Sequence, residues 1–516
     1  MIDLTGRFAL SPRGGSGRLS AREMAPALLL GIVVSAVAFA ATERLAEQPP
    51  LVSVGLALLL VLPAWMLFSA NYRLTLVALL LYLGLLDGVL KLQLNTSVAT
   101  LGRDVLLYSI VFGALARMVI EARPVKLPPL SGYVLAFVAI VLVQLFHPGT
   151  DGILRGLAAA RPHLEFVPLF FFGYLLMREQ RHLRFFLLLM CVIGAANGVV
   201  SLIQFNLTPD QLAAWGPGYA ELIKGTGDVS GRVFYDAASG ESFLRPFGLG
   251  PDTGFGGYVG VLAVPAVLAL VGTANRRWAG RLGAPLSIGI LLAVATSQTR
   301  SAVVAAVVAM LAFGVLALAS QRRVLALLGI AALLALAVGL TSTLSGTDNS
   351  AALDRYDSIS PTNVLGATAD SRGGSLRLLP TYLKELPLGS GLGQVGPGSS
   401  FGTRAARHQP LSGETQFNFL VVELGIMGLL VFAALHLKLL ALSVRLRTVQ
   451  DPETRLLLAG FAAPLFAIAA AWITGPVSAG TPISPFFWFA AGVLAFWLMR
   501  PTVTGSADEI RPRILR

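Results

Sequence analysis

Charge is scarce in this chain: 13% of its 516 residues are Asp, Glu, Lys or Arg, while 55% are hydrophobic and the mean hydropathy is +0.74. So little polar material excludes a soluble protein of this length, because it could not clothe so large an apolar content. Cysteine is nearly missing. Cys191 stands alone in LLLMCVIGAANG, which excludes an intrachain disulfide or thiolate cluster, and its apolar surroundings read as a structural thiol. The five histidines show no metal-ligand spacing, and neither long polar loop holds an Asp-rich metal motif. Short alternating segments are absent as well, which removes a membrane β-barrel.

What remains is a series of apolar runs of about 17 to 25 residues, each long enough to cross the hydrocarbon as a helix. The expected fold is all-α, a polytopic transmembrane bundle of about fourteen spans. The first run, Ala25 to Ala41, follows a polar tail over 1–24 carrying Arg7, Arg13, Arg18 and Arg22; Ala38-Phe39-Ala40 leaves a cleaved signal peptide as the competing reading. Further spans are expected over Leu51 to Ser69, Leu74 to Leu90, Val105 to Ile120, Gly132 to Phe146, Leu164 to Met177 and Phe185 to Phe205. Then come Gly254 to Ala274, Pro285 to Thr296, Ala302 to Ala319, Val324 to Leu340, Phe417 to Leu442, Leu456 to Thr474 and Pro485 to Met499. The domains follow as helices over 25–205, a loop over 206–253, helices over 254–342, a large loop over 343–413, helices over 414–500 and a tail over 501–516.

The formal charge of +12 raises nucleic acid as a partner, yet its placement points elsewhere. Arg73, Arg117, Arg123, Arg178, Arg181, Arg184, Arg276, Arg281, Arg322, Arg445, Arg447 and Arg455 all fall in alternate connections, the positive-inside bias. Both termini are therefore expected in the cytoplasm and both long loops outside. No nucleic-acid partner is expected.

Arginines in the outer loops run against that bias and are candidates for chemistry, with solvated surface charge as the alternative for each. Four stretches carry them. FLRPFGLGPDTGFGGYVG places Arg245 before a Gly-rich helix start, and ATSQTRSAVV places Arg300 in a tight turn between two spans. SRGGSLRLLPTYLKELPLGSGLGQVG supplies Arg372 and Arg377, with helical apolar spacing over Leu376 to Leu388. GETQFNFLVVELGIMG puts Glu414 at the start of a span and Glu423 about two and a half turns deeper.

In this order, the stretches resemble the O-antigen ligase and O-antigen (Wzy-type) polymerase superfamily of membrane glycosyltransferases. The correspondence runs through Arg245, Thr299-Arg300-Ser301, Arg372 with Pro387-Leu388-Gly389-Ser390-Gly391, and Glu414 through Glu423, Gly425 and Gly428. LRGLAAARPHLEF adds Arg161 as a membrane-edge arginine, so the resemblance covers roughly residues 150 to 440. One departure is informative: Glu414 stands where ligase-type members carry His, and Thr415 where Asn is usual, with His408 six residues earlier. The swap favours a polymerase over a ligase.

The resemblance implies a bacterial inner-membrane enzyme that takes sugars from an undecaprenyl-diphosphate-linked oligosaccharide and passes them to a glycan acceptor on the outer face. It also implies a flippase and a chain-length regulator as partners. Such a reaction needs counter-charge for the leaving diphosphate, which arginine supplies through its bidentate fork, and a base for the acceptor hydroxyl. The expected catalytic residues are Glu414, Arg372 and Arg300, with Arg245, Arg161, Arg377, His408 and Glu423 binding substrate, no metal and no cofactor. Desolvation at the lipid boundary is expected to raise the Glu414 pKa.

Plainer roles stand beside these. Glu414 also fits a helix-start charge, and Glu423 an internal ion pair with Arg300 as partner. Asp87 with Lys91, and Arg161 with Glu165, have the spacing of helical ion pairs. His147, His163 and His182 sit at span edges, where an interfacial place is expected. GSGLGQVGPG reads as a flexible backbone segment near the donor. Transport of a lipid-linked or anionic solute is the alternative of another class, expected to show charges through the bilayer's full depth and an internal repeat.

Overall fold

The computed structural model describes residues 62–69, 71–95, 97–120, 127–150, 152–225, 233–235, 242–273, 279–317, 361–396 and 411–499. Expectations for the first span, for Val324 to Leu340 and for His408 lie outside the described residues.

The described chain is almost wholly helical. Helix α1 runs Tyr72–Leu94 through a π-helical turn at Tyr82–Leu86, and Asn95 closes it in the left-handed conformation. Next come α2 (Ser97–Ile120), α3 (Ser131–Gln144), α4 (Ile153–Leu164), α5 (Pro168–Leu176) and α6 (Gln180–Phe205). The first long loop holds α7 (Pro209–Ala213), α8 (Pro217–Lys224) and a small hairpin, β1 (Val233–Tyr235) antiparallel to β2 (Ser242–Leu244) with Phe234 opposite Phe243. Then follow α9 (Phe255–Thr273), α10 (Ala284–Thr296), α11 (Arg300–Ala317), α12 (Pro361–Glu385), α13 (Gln416–Val444), α14 (Pro452–Ala471) and α15 (Ile483–Leu498).

Six of the described helical segments are long and apolar enough to cross a membrane: 72–94, 180–205, 255–273, 300–317, 416–448 and 452–471. Segments 131–144, 281–296 and 483–498 are apolar but shorter. The stretch expected to span from Leu164 to Met177 is broken, because Pro168 cannot donate a backbone N–H and the chain turns through 165–167 between α4 and α5. The helix expected over Leu376 to Leu388 begins earlier, at Pro361, and ends at Glu385. The hairpin is the exception to an all-α chain.

Small residues let the central helices touch. A Cβ on Gly198 of α6 would collide with the carbonyl oxygen of Gly289 on α10, so any side chain there would force the pair apart. Helix α9 packs on both, α14 lies against α9 and α11, and α15 lies against α5. An aromatic core of Phe137, Phe432, Trp472, Phe487 and Trp488 fills the centre.

The chain alternates between two ends, and the ends differ chemically. At one, Gln180 donates to Asp451 and Thr454, Arg184 pairs with Glu453, and the Trp497 indole donates to the Met177 carbonyl. Arg178, Arg181, Arg445, Arg447 and Arg455 gather there. At the other end lie α7, α8, the 245–255 loop, the 297–300 turn and the starts of α13 and α15. This asymmetry is the one that the basic connections lead one to expect.

Candidate functional site

Helix α12 and the start of α13 hold two expected residues side by side. Arg372 Nη1 lies 2.8 Å from Glu414 Oε2, with 34% and 53% of their side chains exposed. Ser375, one turn beyond Arg372 on the same helix face, donates its hydroxyl to Glu414 Oε2 at 2.9 Å and meets Ser412 Oγ at 2.8 Å. The Asn418 amide donates to the Ser375 carbonyl at 2.6 Å, and Thr415 caps α13 by accepting from the Asn418 N–H. The carboxylate is thus gripped on one oxygen and open on its other side, a geometry from which it can accept a hydroxyl proton. Glu414 is thus half covered by its own protein rather than enclosed by it. Arg377 is exposed on α12.

Glu423 is buried, 1% exposed, and its partners differ from the expected Arg300. Its Oε2 lies 2.7 Å from His163 Nε2, while Oε1 accepts from the Gly393 and Val395 N–H groups at 3.1 and 3.2 Å. The GSGLGQVG segment therefore turns its backbone donors inward onto a protein carboxylate, which corrects its reading as a loose segment facing the donor. This fit depends on a break in α13. Gly425 adopts φ 72° and ψ −171°, a conformation open to glycine, and the released Ile426 N–H donates to the Pro387 carbonyl at 2.9 Å. The Val422 carbonyl is taken by the Ser390 N–H at 2.7 Å and by its hydroxyl. Gln144 and Gln394 then tie the 387–396 loop to α3 and the 145–150 turn. His163, expected at the interface, is buried and stacks on Phe419.

The remaining two stretches pack together at the same end. A Cβ on Gly254 would meet Thr299 Oγ1 at 2.8 Å and one on Gly257 would meet Ser297 Oγ at 2.6 Å, so the Gly-rich start of α9 lies directly on the turn that leads to Arg300. Tyr258 and Ser301 join their hydroxyls at 2.9 Å. Gln204 accepts from the Phe247 and Gly248 N–H groups, and Asn197 accepts from Leu249, which anchors the loop after Arg245 to α6. Arg300 is exposed at the first turn of α11, and Arg245 is partly buried.

Between the two groupings lies a charge network that sequence reasoning saw only in pieces. The expected Asp87–Lys91 pair forms at 2.8 Å, and Arg161 reaches Glu165 at 3.5 Å. Arg161 is closer to Asp104, at 2.8 Å, and Glu165 is closer to Arg103, at 2.7 Å. Arg103 also approaches Asp87 at 3.8 Å. Three acids and three bases thus neutralise one another. Arg103 and Asp104 had a legible signal, since adjacent opposite charges inside the apolar run LGRDVLLYS call for partners.

These contacts form one path. Helix α4 presents Arg161 to the network and His163 to Glu423, and Gly88, beside Asp87, lies against the Gly250 backbone of the Arg245 loop. Asp87 stands about 12 Å below the end of α1 at Asn95, and Glu423 about 10 Å below the start of α13, by the helical rise per residue. Among the described residues no group of three or more His, Cys, Asp or Glu is placed to hold a metal ion. The chain matches no family model, no curated protein and no solved structure.

Proposed function

We propose that this chain is a metal-independent, inverting glycosyltransferase that polymerises undecaprenyl-diphosphate-linked oligosaccharide repeat units of an exopolysaccharide or O-antigen. In this reading it has about fourteen spans in a bacterial inner membrane, both termini in the cytoplasm, and works on the outer face. The observation that carries it is the Arg372–Glu414 pair: a half-exposed carboxylate oriented by a guanidinium and a serine hydroxyl at the end of the bundle where the arginine-bearing stretches gather.

Glu414 takes the proton of the acceptor hydroxyl as its oxygen attacks the anomeric carbon. The bond from that carbon to the diphosphate oxygen breaks, and the diphosphate leaves with the electron pair. Arg300 and Arg372 offset its growing charge, a role guanidinium fills because it stays protonated beside the bilayer and binds two oxygens at once. Arg245 holds the substrate beside this centre, while Arg161, paired with Asp104 and Glu165, braces the helices beneath it. Glu423, with its carboxylate consumed by His163 and the 387–396 loop, supports the site from below.

A ligase or a protein O-oligosaccharyltransferase would use the same donor half-reaction with another acceptor. A transporter expects charge through the full depth of the bundle. Asp87 and Glu423, the two buried acids that face the candidate site, lie within about 12 Å of that end, which favours transfer over transport.

The test is the glycan made by a deletion strain carrying wild type, Arg372→Ala, Arg300→Ala or Glu414→Gln, with membrane expression matched. Wild type should restore long polymer, and each variant should leave single lipid-linked repeats at the outer face. Full polymer from Glu414→Gln would return that residue to a helix-end charge and direct attention to His408. Repeats that never reach the outer face without the protein would favour transport.

A further inference from the structure

Gln298 combines three costly features in one residue. It is fully buried, at 0% exposure; its backbone is left-handed, at φ 54°, which long L side chains rarely adopt; and neither its amide nitrogen nor its amide oxygen finds a hydrogen-bond partner among the described residues. Left-handed backbone outside glycine and unmatched buried amides each lower stability. A residue that carries both survives where the strain serves a function. Leucine would fill the volume without the unmatched polarity, and glycine would adopt the turn without strain.

Its position says which function. The turn Ser297–Gln298–Thr299 joins α10 to α11 and leads straight into Arg300. Ser297 and Thr299 are seated on Gly257 and Gly254 at the start of α9, so both flanks of Gln298 are held while its own side chain is not. An amide offers a donor and an acceptor in one plane, the complement of a sugar's hydroxyl pair or acetamido group. A substrate whose diphosphate meets Arg300 would carry its first sugar within reach of this turn.

We propose that Gln298 is a donor-contacting residue: its amide, folded inward in the free protein, hydrogen-bonds the first sugar of the lipid-linked donor when the 297–300 turn opens. This rests on the glycosyl-transfer reading, and it makes Gln298 the group that recognises sugar rather than phosphate. The amide leaves no hydrogen bond behind among the described residues when it turns to the sugar, so the bonds it makes there are gained without an offsetting loss.

Thermal unfolding of the purified full chain in detergent micelles tests it, alone and with two probes, farnesyl diphosphate and farnesyl-diphosphate-linked N-acetylglucosamine. Gln298→Leu, which keeps the buried volume, should melt no lower than wild type without ligand; Gln298→Gly, which relieves the turn but empties that volume, is compared only for the effect of the probes. Farnesyl diphosphate should stabilise wild type and both variants equally, whereas the extra affinity conferred by the sugar should fall about tenfold in the variants, the scale of one or two neutral hydrogen bonds. A lower melting temperature for Gln298→Leu, which keeps the buried volume that Gln298→Gly empties, would show that the amide is already satisfied in the free protein and would overturn the proposal. An undiminished sugar effect in the variants would overturn it too, while leaving glycosyl transfer standing. No response of wild type to either probe would remove the glycosyl-transfer reading and this one with it.

Discussion

Removing the Glu423 carboxylate should unfold the candidate site from beneath. Its oxygens serve the Gly393 N–H, the Val395 N–H and the His163 imidazole, all inside the bundle. Glu423→Ala orphans those three groups at once. A buried donor left unmatched costs about 1–3 kcal/mol. Three such groups lose their acceptor, and the contributions are not additive because the loop can relax once released, so about 3–5 kcal/mol is the expected loss for Glu423→Ala. Glu423→Gln keeps an oxygen for the two backbone donors, and its NH₂ can donate to His163 Nε2 in the other tautomer. Its loss should stay near 1–2 kcal/mol, the difference between a charged and a neutral acceptor. Equilibrium unfolding in mixed micelles measures both. Equal losses for the two variants, or a neutral alanine, would refute the view that this carboxylate holds the 387–396 loop on α13.

Arg372→Ala and Glu414→Gln should behave in the opposite way: the pair is exposed enough to contribute at most about 1 kcal/mol, so the same unfolding assay should leave both variants near wild type while polymer is lost. Gly425→Ala should cost about 3 kcal/mol or more, since a Cβ there would stand 2.6 Å from the Pro387 carbonyl oxygen in a conformation only glycine adopts readily; accumulation in the membrane and melting temperature would report it. Glu165→Ala should be worse than Arg103→Met paired with Glu165→Leu, because the single change strands Arg103 without its closest carboxylate; stability of the three proteins checks the order. Asp451 caps α14, and the Thr454 hydroxyl, foremost among its donors, holds its pKa below the usual carboxylate value. Its charged form is therefore stabilising above the unfolded pKa, and that stabilisation disappears as pH falls through the folded one. Asp451→Ala should cost about 1 kcal/mol at neutral pH, and the gap to wild type should narrow in acid, as a pH series of melts would show.

The site was legible in the sequence where residues act through short spacings or through composition. Asp87 with Lys91 four residues on, and the arginines outside the basic connections, needed no tertiary contact to be noticed. Glu414 was singled out by its place at the start of an apolar run, and Arg372 as an arginine in an outer loop, against the positive-inside bias. Their meeting was not foreseeable, because 41 positions of chain separate them and only the packing of α12 on α13 closes that distance. The Glu423 partner was misjudged for the same reason. An internal ion pair was expected and arginine was the obvious cation, yet a histidine 260 residues away occupies the place.

Composition and the period of apolar residues by themselves determined that this is a helical membrane protein, since the hydrocarbon admits few other solutions for a chain so poor in charge. They also located several of the described helix ends to within a few residues, among them those of α9 and α10. Only the tertiary structure decided what each polar group inside the bundle is for. The break at Gly425, the inward turn of the 387–396 amides, the neutralised network of Arg103 and Arg161, and the strained amide of Gln298 each depend on which distant element arrives to satisfy a buried group, or fails to. Hydrogen bonds and ion pairs are short-ranged and directional, so their partners are set by packing rather than by sequence spacing.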